Sequence, residues 1–276
     1  MLKEFPIKHL RQFILRSRNL SVLFFQLWDT YFFSNSSKLF AHESSLETGF
    51  IFRRDEFVSF FGRLNLEDLQ ALEWNETQEL ILNYAPRHLA LVQRAFEDLR
   101  PPDETGDPDK SFNTFHVMEM EKDQWTARPN RIVSDLPDVE VLTVTPDKEI
   151  ANLKTRTFDI PFLSSIPTVL LFKESESLSE PIAIARIPTI LSKDEWSFGV
   201  IRGVWVQPKW RRRGYGSIVT EWALKWIFED KQLSKAFLYV EQSNNEAVAL
   251  YRKLNWRKTG EVLSCFAYPS AFLVEE

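Results

Sequence analysis

A single cysteine, Cys265, stands among the 276 residues. That excludes an intrachain disulfide and with it the disulfide-stapled small secreted scaffolds. Histidine is sparse and scattered, at His9, His42, His88 and His116. None sits at metal-ligand spacing and there is no Cys-x-x-Cys, so no metal is expected. Positive charge does not dominate: 34 Lys and Arg against 39 Asp and Glu leave a net charge of −5. A general nucleic-acid binder needs a basic face to neutralise phosphates, so no nucleic-acid partner is expected. Long apolar runs are missing as well. The stretch Leu20 to Phe33 is interrupted by Gln26 and Asp29 and falls short of the about 20 apolar residues that a membrane helix requires. The expectation is a cytoplasmic protein with no membrane partner. Lys3, Lys8, Arg11, Arg16 and Arg18 against Glu4 give a basic start that a transit peptide would share, and are read as the polar face of an amphipathic helix.

Aromatic residues, by contrast, are plentiful. With 23 Phe, 9 Trp, 44% hydrophobic and 26% charged residues, the composition is that of a globular protein with an aromatic core. The clearest break is Pro101 to Lys110, which combines turn formers and acidic charge. It divides the chain into an N-terminal α/β domain (1–100), a linker (101–111) and a larger domain (112–276). In the first, a helix is expected over Ile7–Tyr31 and strands over Lys38–His42, Gly49–Arg53, Glu56–Phe61 and Glu79–Asn83. A helix over Arg87–Asp98 follows. In the second, strands are expected over Phe112–Glu119, Val139–Val144, Thr168–Lys173, Ile182–Arg186 and Phe198–Val206, and a helix starts near Pro146. A helix Ser217–Phe228, a strand Ala236–Val240, a helix Asn245–Leu254 and a strand through Val262–Tyr268 complete it. Strands alternating with helices imply at least one parallel pair in a mixed sheet. Cys265, in a β-rich aromatic segment, is expected to be a small core residue.

Glycine is scarce, eight in all, yet Gly199, Gly203, Gly214 and Gly216 cluster. The segment Val204-Trp205-Val206-Gln207-Pro208-Lys209-Trp210-Arg211-Arg212-Arg213-Gly214-Tyr215-Gly216-Ser217 follows a strand and opens a helix. A helix start offers unpaired N–H groups and the positive end of the helix dipole. Glycines let a ligand approach the backbone, and arginines fork onto phosphate oxygens. Together these make a diphosphate cradle that is neither a Walker A loop nor a dinucleotide fingerprint.

The order Val-x-Pro, then Arg-x-x-Gly-x-Gly, resembles motif A of the GNAT superfamily of acyl-coenzyme A N-acyltransferases. Downstream, Asn244-Asn245-Glu246-Ala247-Val248-Ala249-Leu250-Tyr251-Arg252-Lys253-Leu254-Asn255-Trp256 is similar to that family's second signature. Asn255 stands for the usual Gly and can take the same left-handed turn after a helix. The resemblance implies a mixed α/β fold whose mostly antiparallel sheet has helices on both faces and one splayed parallel strand pair. It implies acetyl-CoA, or another acyl-CoA, as co-substrate and a small-molecule amine or amino acid as acceptor, with a peptide amine as the lesser choice. Val204, Trp205 and Val206 would bind the pantetheine arm through their backbone. Arg211, Arg212, Arg213, Gly214, Tyr215, Gly216 and Ser217 would hold the diphosphate, and Asn244 would reach the pantetheine or a water. Tyr251 would protonate the departing thiolate. No general base is assigned: Val200 to Gly203 offers no acid, Tyr239 stands where some relatives have Glu, and Glu195 and Glu241 are near only in sequence.

In the N-terminal half, Ala85-Pro86-Arg87-His88 stands where a glycine loop would be, which reads as a degenerate transferase-like domain. The two-part layout resembles the branch containing glycine N-acyltransferases. A non-catalytic acyl-CoA-binding regulatory module is the alternative to an enzyme. A nucleic-acid surface made by Lys209 to Arg213 with Trp205 and Trp210 is a further one.

Overall fold

The computed structural model describes residues 2–6, 37–42, 46, 49–101, 112–127, 139–144, 166–173, 181–193, 196–270 and 273. The helices expected over Ile7–Tyr31 and after Pro146, and most of the 101–111 linker, lie outside these residues. In chain order the elements begin with β1 (Lys3–Phe5), β2 (Lys38–Ala41), β3 (Gly49–Arg54), β4 (Phe57–Gly62) and α1 (Leu66–Gln70). They continue with β5 (Leu80–Tyr84), α2 (Leu89–Ala95), β6 (Phe96–Arg100), β7 (Asn113–Glu121), α3 (Lys122–Thr126), β8 (Val139–Val144), β9 (Thr168–Lys173) and β10 (Ala183–Lys193). Last come β11 (Trp196–Val206), α4 (Tyr215–Lys225), β12 (Lys235–Glu241), α5 (Asn245–Lys253) and β13 (Arg257–Pro269). The fold is thus a mixed α/β one, mostly antiparallel, with parallel pairs and few helices.

The chain packs as two compact units. The first comprises Met1–Val117, Val240–Asn244 and Thr259–Glu276, the second Met118–Tyr239 and Asn245–Lys258. In the first unit, β1, β2, β3 and β4 form an antiparallel meander. β4 then pairs β5 in parallel, from Phe57↔Ile81 to Phe60↔Tyr84, and the connection runs through α1. β13 lies antiparallel along β5, from Leu263↔Tyr84 to Ala267↔Leu80. Its core gathers Phe60, Trp74, Tyr84, Phe96 and Cys265. Cys265 is fully buried, 3.7 Å from the Tyr84 hydroxyl, and burial pushes its thiol up to about 11. It is a core residue, as expected.

The helix expected over Arg87–Asp98 is shorter than its pattern. It ends at Ala95, and Phe96 turns extended at φ −131°, ψ 150° to begin β6 against β13. Phe96 is buried, edge-on to Trp74 at 5.4 Å, so tertiary packing overrides helical propensity there. α1, absent from the sequence expectation, is set by a capping box. The Asn65 side chain accepts from the Asp68 N–H, and the Asp68 carboxylate accepts from the Asn65 N–H.

In the second unit, β8, β9, β10 and β11 are antiparallel neighbours. β11 pairs β12 in parallel over Phe198↔Lys235 to Ile201↔Leu238. The β10–β11 register slips twice, between Ile184 and Arg186 and between Arg186 and Thr189. Gly203, at φ +60°, supplies the backbone conformation of the first bulge. Pro188, lacking a ladder donor, falls within the second. Gly199 lets the Ile227 side chain close on the sheet, since a Cβ there would lie 2.9 Å from it.

Gly49 is tightly enclosed: a Cβ would meet the Arg63 carbonyl oxygen at 2.3 Å. Gly49→Ala must shift backbone, and is expected to lower the unfolding free energy in urea by about 1–3 kcal/mol. Unchanged stability would show that the β3 start can move freely.

Candidate functional site

The site grows from the end of β11. Its ladder with β12 stops at Ile201↔Leu238, yet β11 runs on to Val206, paired there only with β10 through Ile184↔Trp205 and Ala183↔Val206. The Gln207 N–H donates to the Ile182 carbonyl, 2.9 Å, so Gln207 and Trp205 face β10. Alternation along the strand turns the amides of Val204 and Val206 to the opposite edge. Beyond Ile201 that edge is no longer paired with β12, in keeping with the splayed pair that the resemblance implied.

A 3-10 turn, Pro208–Trp210, leads into the arginines. Arg211 folds back, its Nε donating to the Val206 carbonyl at 3.1 Å, and so ties the turn to the strand. Arg212 takes a left-handed φ of +62° and pairs with the Glu246 carboxylate of α5. Arg213 lays its guanidinium 4.9 Å from the Trp210 ring centre. Gly214, at φ +90°, is the N-cap of α4, and no side chain caps the helix. A Cβ on Gly214 would meet nothing within 4 Å, so the turn opens outward. The Ser217 and Ile218 N–H groups donate back to the Gly214 carbonyl. The amides ahead of them, those of Tyr215 and Gly216, are the orphan donors of a helix start. A Cβ on Gly216 would lie 3.4 Å from Leu250 Cδ2 and 3.6 Å from Val206 Cγ2. That glycine therefore brings the first turn of α4, the end of β11 and α5 together.

Tyr251 follows Leu250 on α5. Its position is fixed by the helix end: Trp256 N–H donates to the Tyr251 carbonyl and Asn255 N–H to that of Arg252, both 2.9 Å. Asn255 is at φ +62°, so it performs the left-handed cap expected of it. Trp256 packs edge-on to the phenol, 6.1 Å between ring centres. Tyr251 is 6% exposed, and burial raises its phenol above the ordinary value, which keeps the proton on the oxygen. Asn244, the remaining expected ligand, belongs to the first unit and donates its N–H to the Glu241 carbonyl at 3.0 Å.

Carboxylates near these elements are committed elsewhere. Glu119 and Glu121 are held by Lys235 and Arg257, at 2.8 to 3.4 Å. Glu221, fully buried on α4, accepts from the Trp125 indole N–H at 3.3 Å. Glu241 accepts from the Ser243 hydroxyl. Burial pushes the Tyr239 phenol well up, so it is no base either. Glu195 lies outside the described residues. Among the described residues there is no cluster of metal-ligating side chains, and no helix is long and apolar enough to cross a membrane. What the sequence did not reveal is Lys173, which β9 brings 4.9 Å from the Trp210 ring centre; no spacing rule links it to the arginine run.

The first unit has the same strand–helix–parallel strand order, in β4, α1 and β5. The turn that corresponds to the glycine loop is therefore 62–65, after Gly62 at φ +68°, and not the Ala85–His88 segment that the sequence suggested. It is sealed. His88 Nε2 donates to the Gly62 carbonyl at 2.9 Å, and α1 is one short turn, self-capped by Asn65 with Glu67 and Asp68 at its start. Acidic side chains there repel an anion.

Residues 169–256 match the Acetyltransferase (GNAT) family. The match covers the stretch that carries both signatures, and the fold just described is the mixed α/β one that the resemblance implied. A comparison with curated protein sequences finds no match. Among solved structures, a Drosophila protein aligns at a TM-score of 0.63 and 16% identity, covering 97% of this chain and 98% of its own. A tandem GNAT protein from the clavulanic acid biosynthesis pathway aligns at 0.57 and 7% identity, covering 98% of both chains. A GCN5-related N-acetyltransferase from Sphaerobacter thermophilus aligns at 0.52 and 12% identity, over 90% of this chain and 85% of its own. At these identities the likeness is one of fold.

Burial lowers the His88 pKa, with Arg87 adding repulsion and the Gly62 carbonyl opposing. A histidine depressed in the folded state binds fewer protons than its unfolded counterpart. Stability is therefore full above the unfolded value, near pH 6.5, and falls as pH drops below it. The urea midpoint should fall between pH 7 and pH 5, and fall less in His88→Gln. Equal slopes would mean that His88 titrates alike in both states.

Proposed function

We propose that this protein is an N-acyltransferase that moves an acyl group, most simply acetyl, from acyl-CoA to a primary amine by direct attack. The observation that carries this reading is the uncapped, outward-opening glycine turn of α4, placed at the end of a strand that has parted from its parallel neighbour. The residues fit the donor. The Tyr215 and Gly216 amides, orphan donors of the helix start, would take the diphosphate, with those of Arg212 and Arg213 beside them, and Arg211 braces the turn against Val206. The free edge of Val204 and Val206 suits the amide-rich pantetheine arm, which would run along it as an added strand does.

On this reading the amine nitrogen attacks the thioester carbonyl, the C–S bond breaks, and the thiolate leaves. The Val206 amide donates to the oxygen on which charge develops. Tyr251 gives its phenolic proton to the leaving sulfur and regains one from solvent or from the ammonium product. Burial makes Tyr251 a donor that is never ionised near neutral pH, so it serves as acid and not as base. The acceptor is proposed to be a small amine or amino acid, and the sealed turn of the first unit is proposed to leave one donor site per chain. A non-catalytic acyl-CoA-binding module is the second reading. It is favoured by the carboxylates near the site, which are engaged with cations, an indole or a hydroxyl.

Thiol release from acetyl-CoA across amino acids, polyamines, amino sugars and peptides tests the enzyme; CoA binding without release from any amine would select the second reading. Gly214→Glu, whose side chain enters open space as a negative charge, should abolish the thermal shift given by acetyl-CoA, and Gly214→Asn should keep it. Unchanged binding in the Glu variant would remove the diphosphate from this turn. Tyr251→Phe should lower kcat about a hundredfold with little change in CoA affinity; equal turnover would end its role as acid.

A further inference from the structure

A cleft of about 660 Å³ opens in the first unit, between one face of β1, β2 and β3 and the connection from α1 to β5. Glu4 stands opposite Phe40, and Lys38 opposite Arg53, so alternation puts all four side chains on that face. Across from them Trp74 is 8% exposed and donates its indole N–H to the Leu69 carbonyl at 2.7 Å, which fixes the ring as a wall. Arg53 is held by the same connection. Its Nη1 donates to the Glu73 carbonyl at 2.8 Å and its Nη2 to Gln78 Oε1 at 3.1 Å, with the guanidinium 5.3 Å from the Trp74 ring centre. These contacts set the plane of the fork but use two of its five N–H donors, and both acceptors are neutral. Among the described residues no carboxylate comes within ion-pair distance of Arg53, and burial lowers its pKa, with Glu73 opposing. The cation directly opposite, Lys38, meets Glu4 at 3.8 Å, and both are exposed, so that pair contributes little. The exposed lining has the other sign. Asp55 is 54% exposed in the turn between β3 and β4. The exposed Glu73 carboxylate makes no hydrogen bond or ion pair among the described residues.

We propose that this cleft binds a small zwitterion, an aromatic amino acid or its dipeptide, with the carboxylate on Arg53 and Lys38, the ring against Trp74 and Phe40, and the ammonium at Glu73 and Asp55. A carboxylate is planar and matches the remaining donors of a fixed guanidinium fork. It also supplies the counter-charge that the neutral acceptors of Arg53 do not. A phosphate dianion or a nucleic-acid backbone fits poorly, because Glu4, Asp55 and Glu73 also line the cleft and repel it. An amine without a carboxylate would leave Arg53 uncompensated. Size agrees: clefts of about 300–1,000 Å³ hold small organic ligands. The lining belongs to the first unit alone, so the site is separate from the glycine turn of α4 and does not depend on the acyl-CoA reading.

The test is calorimetry on the full chain with phenylalanine, diphenylalanine, N-acetylphenylalanine and phenylalaninamide. The tighter of the two zwitterions, which tells whether one residue or two fill the cleft, should bind about tenfold or more tightly than either capped compound. Arg53→Gln should weaken it by a similar factor. Lys38→Met and Glu73→Gln, both exposed positions, serve if Arg53→Gln fails to fold. Glu73→Gln should weaken the zwitterion and leave N-acetylphenylalanine no weaker, since that compound has no ammonium. The thermal shift given by acetyl-CoA should persist in all three variants, which keeps this result apart from that of the acyl-donor turn. Absence of binding by both zwitterions would overturn the proposal, as would capped compounds that bind equally well. Binding that neither Lys38→Met nor Glu73→Gln alters would place the ligand elsewhere on the protein and overturn it too.

Discussion

Everything in the second unit turns on a parallel ladder that stops early. Four residues of β11 pair with β12, and the rest of the strand keeps only its antiparallel neighbour. A sheet normally leaves no such edge inside a fold, because unpaired N–H groups cost free energy unless something accepts from them. The bulge at Gly203 comes where the ladder ends, which adds twist at that point and turns the strand end away from its former partner. The helix that follows begins with the same kind of deficit, amides without carbonyls. One end of one strand and one end of one helix thus bring backbone donors side by side, which is where the proposed acyl donor would be held.

Much of this was legible in the chain. Four glycines in eighteen residues, in a protein with eight, mark where backbone must do what side chains forbid, and Gly203 and Gly214 do have positive φ. The Asn255 cap could be foreseen because an amide side chain tolerates the left-handed region. The strands of both halves were visible as short apolar runs between turn formers. Elements decided by distant contacts were not. β6 reads as the end of a helix until Phe96 meets Trp74 and β13, and α1 is too short to show a period. Lys173 could not be joined to Trp210, since the proximity comes from sheet order and leaves no trace in spacing.

The two strand–helix–strand crossovers show how little separates a cradle from a plug. Both have a parallel pair and a glycine of positive φ after the first strand. In one the helix is long, uncapped and preceded by arginines. In the other a histidine just ahead of α2 reaches back to the glycine carbonyl, and an Asn–Asp pair caps the helix start. Topology alone therefore says nothing about ligand capacity; the capping chemistry of the turn decides it.

The position of β13 has a consequence for how the chain is made. Its residues Leu263 to Ala267 lie against β5, so the sheet of the first unit lacks this strand until the whole of the second unit's sequence up to β13 has been synthesised. Until then the β5 edge, with Leu80, Leu82 and Tyr84, has no β13 beside it. It also means that no single proteolytic cut between the halves could release the first unit with its sheet intact.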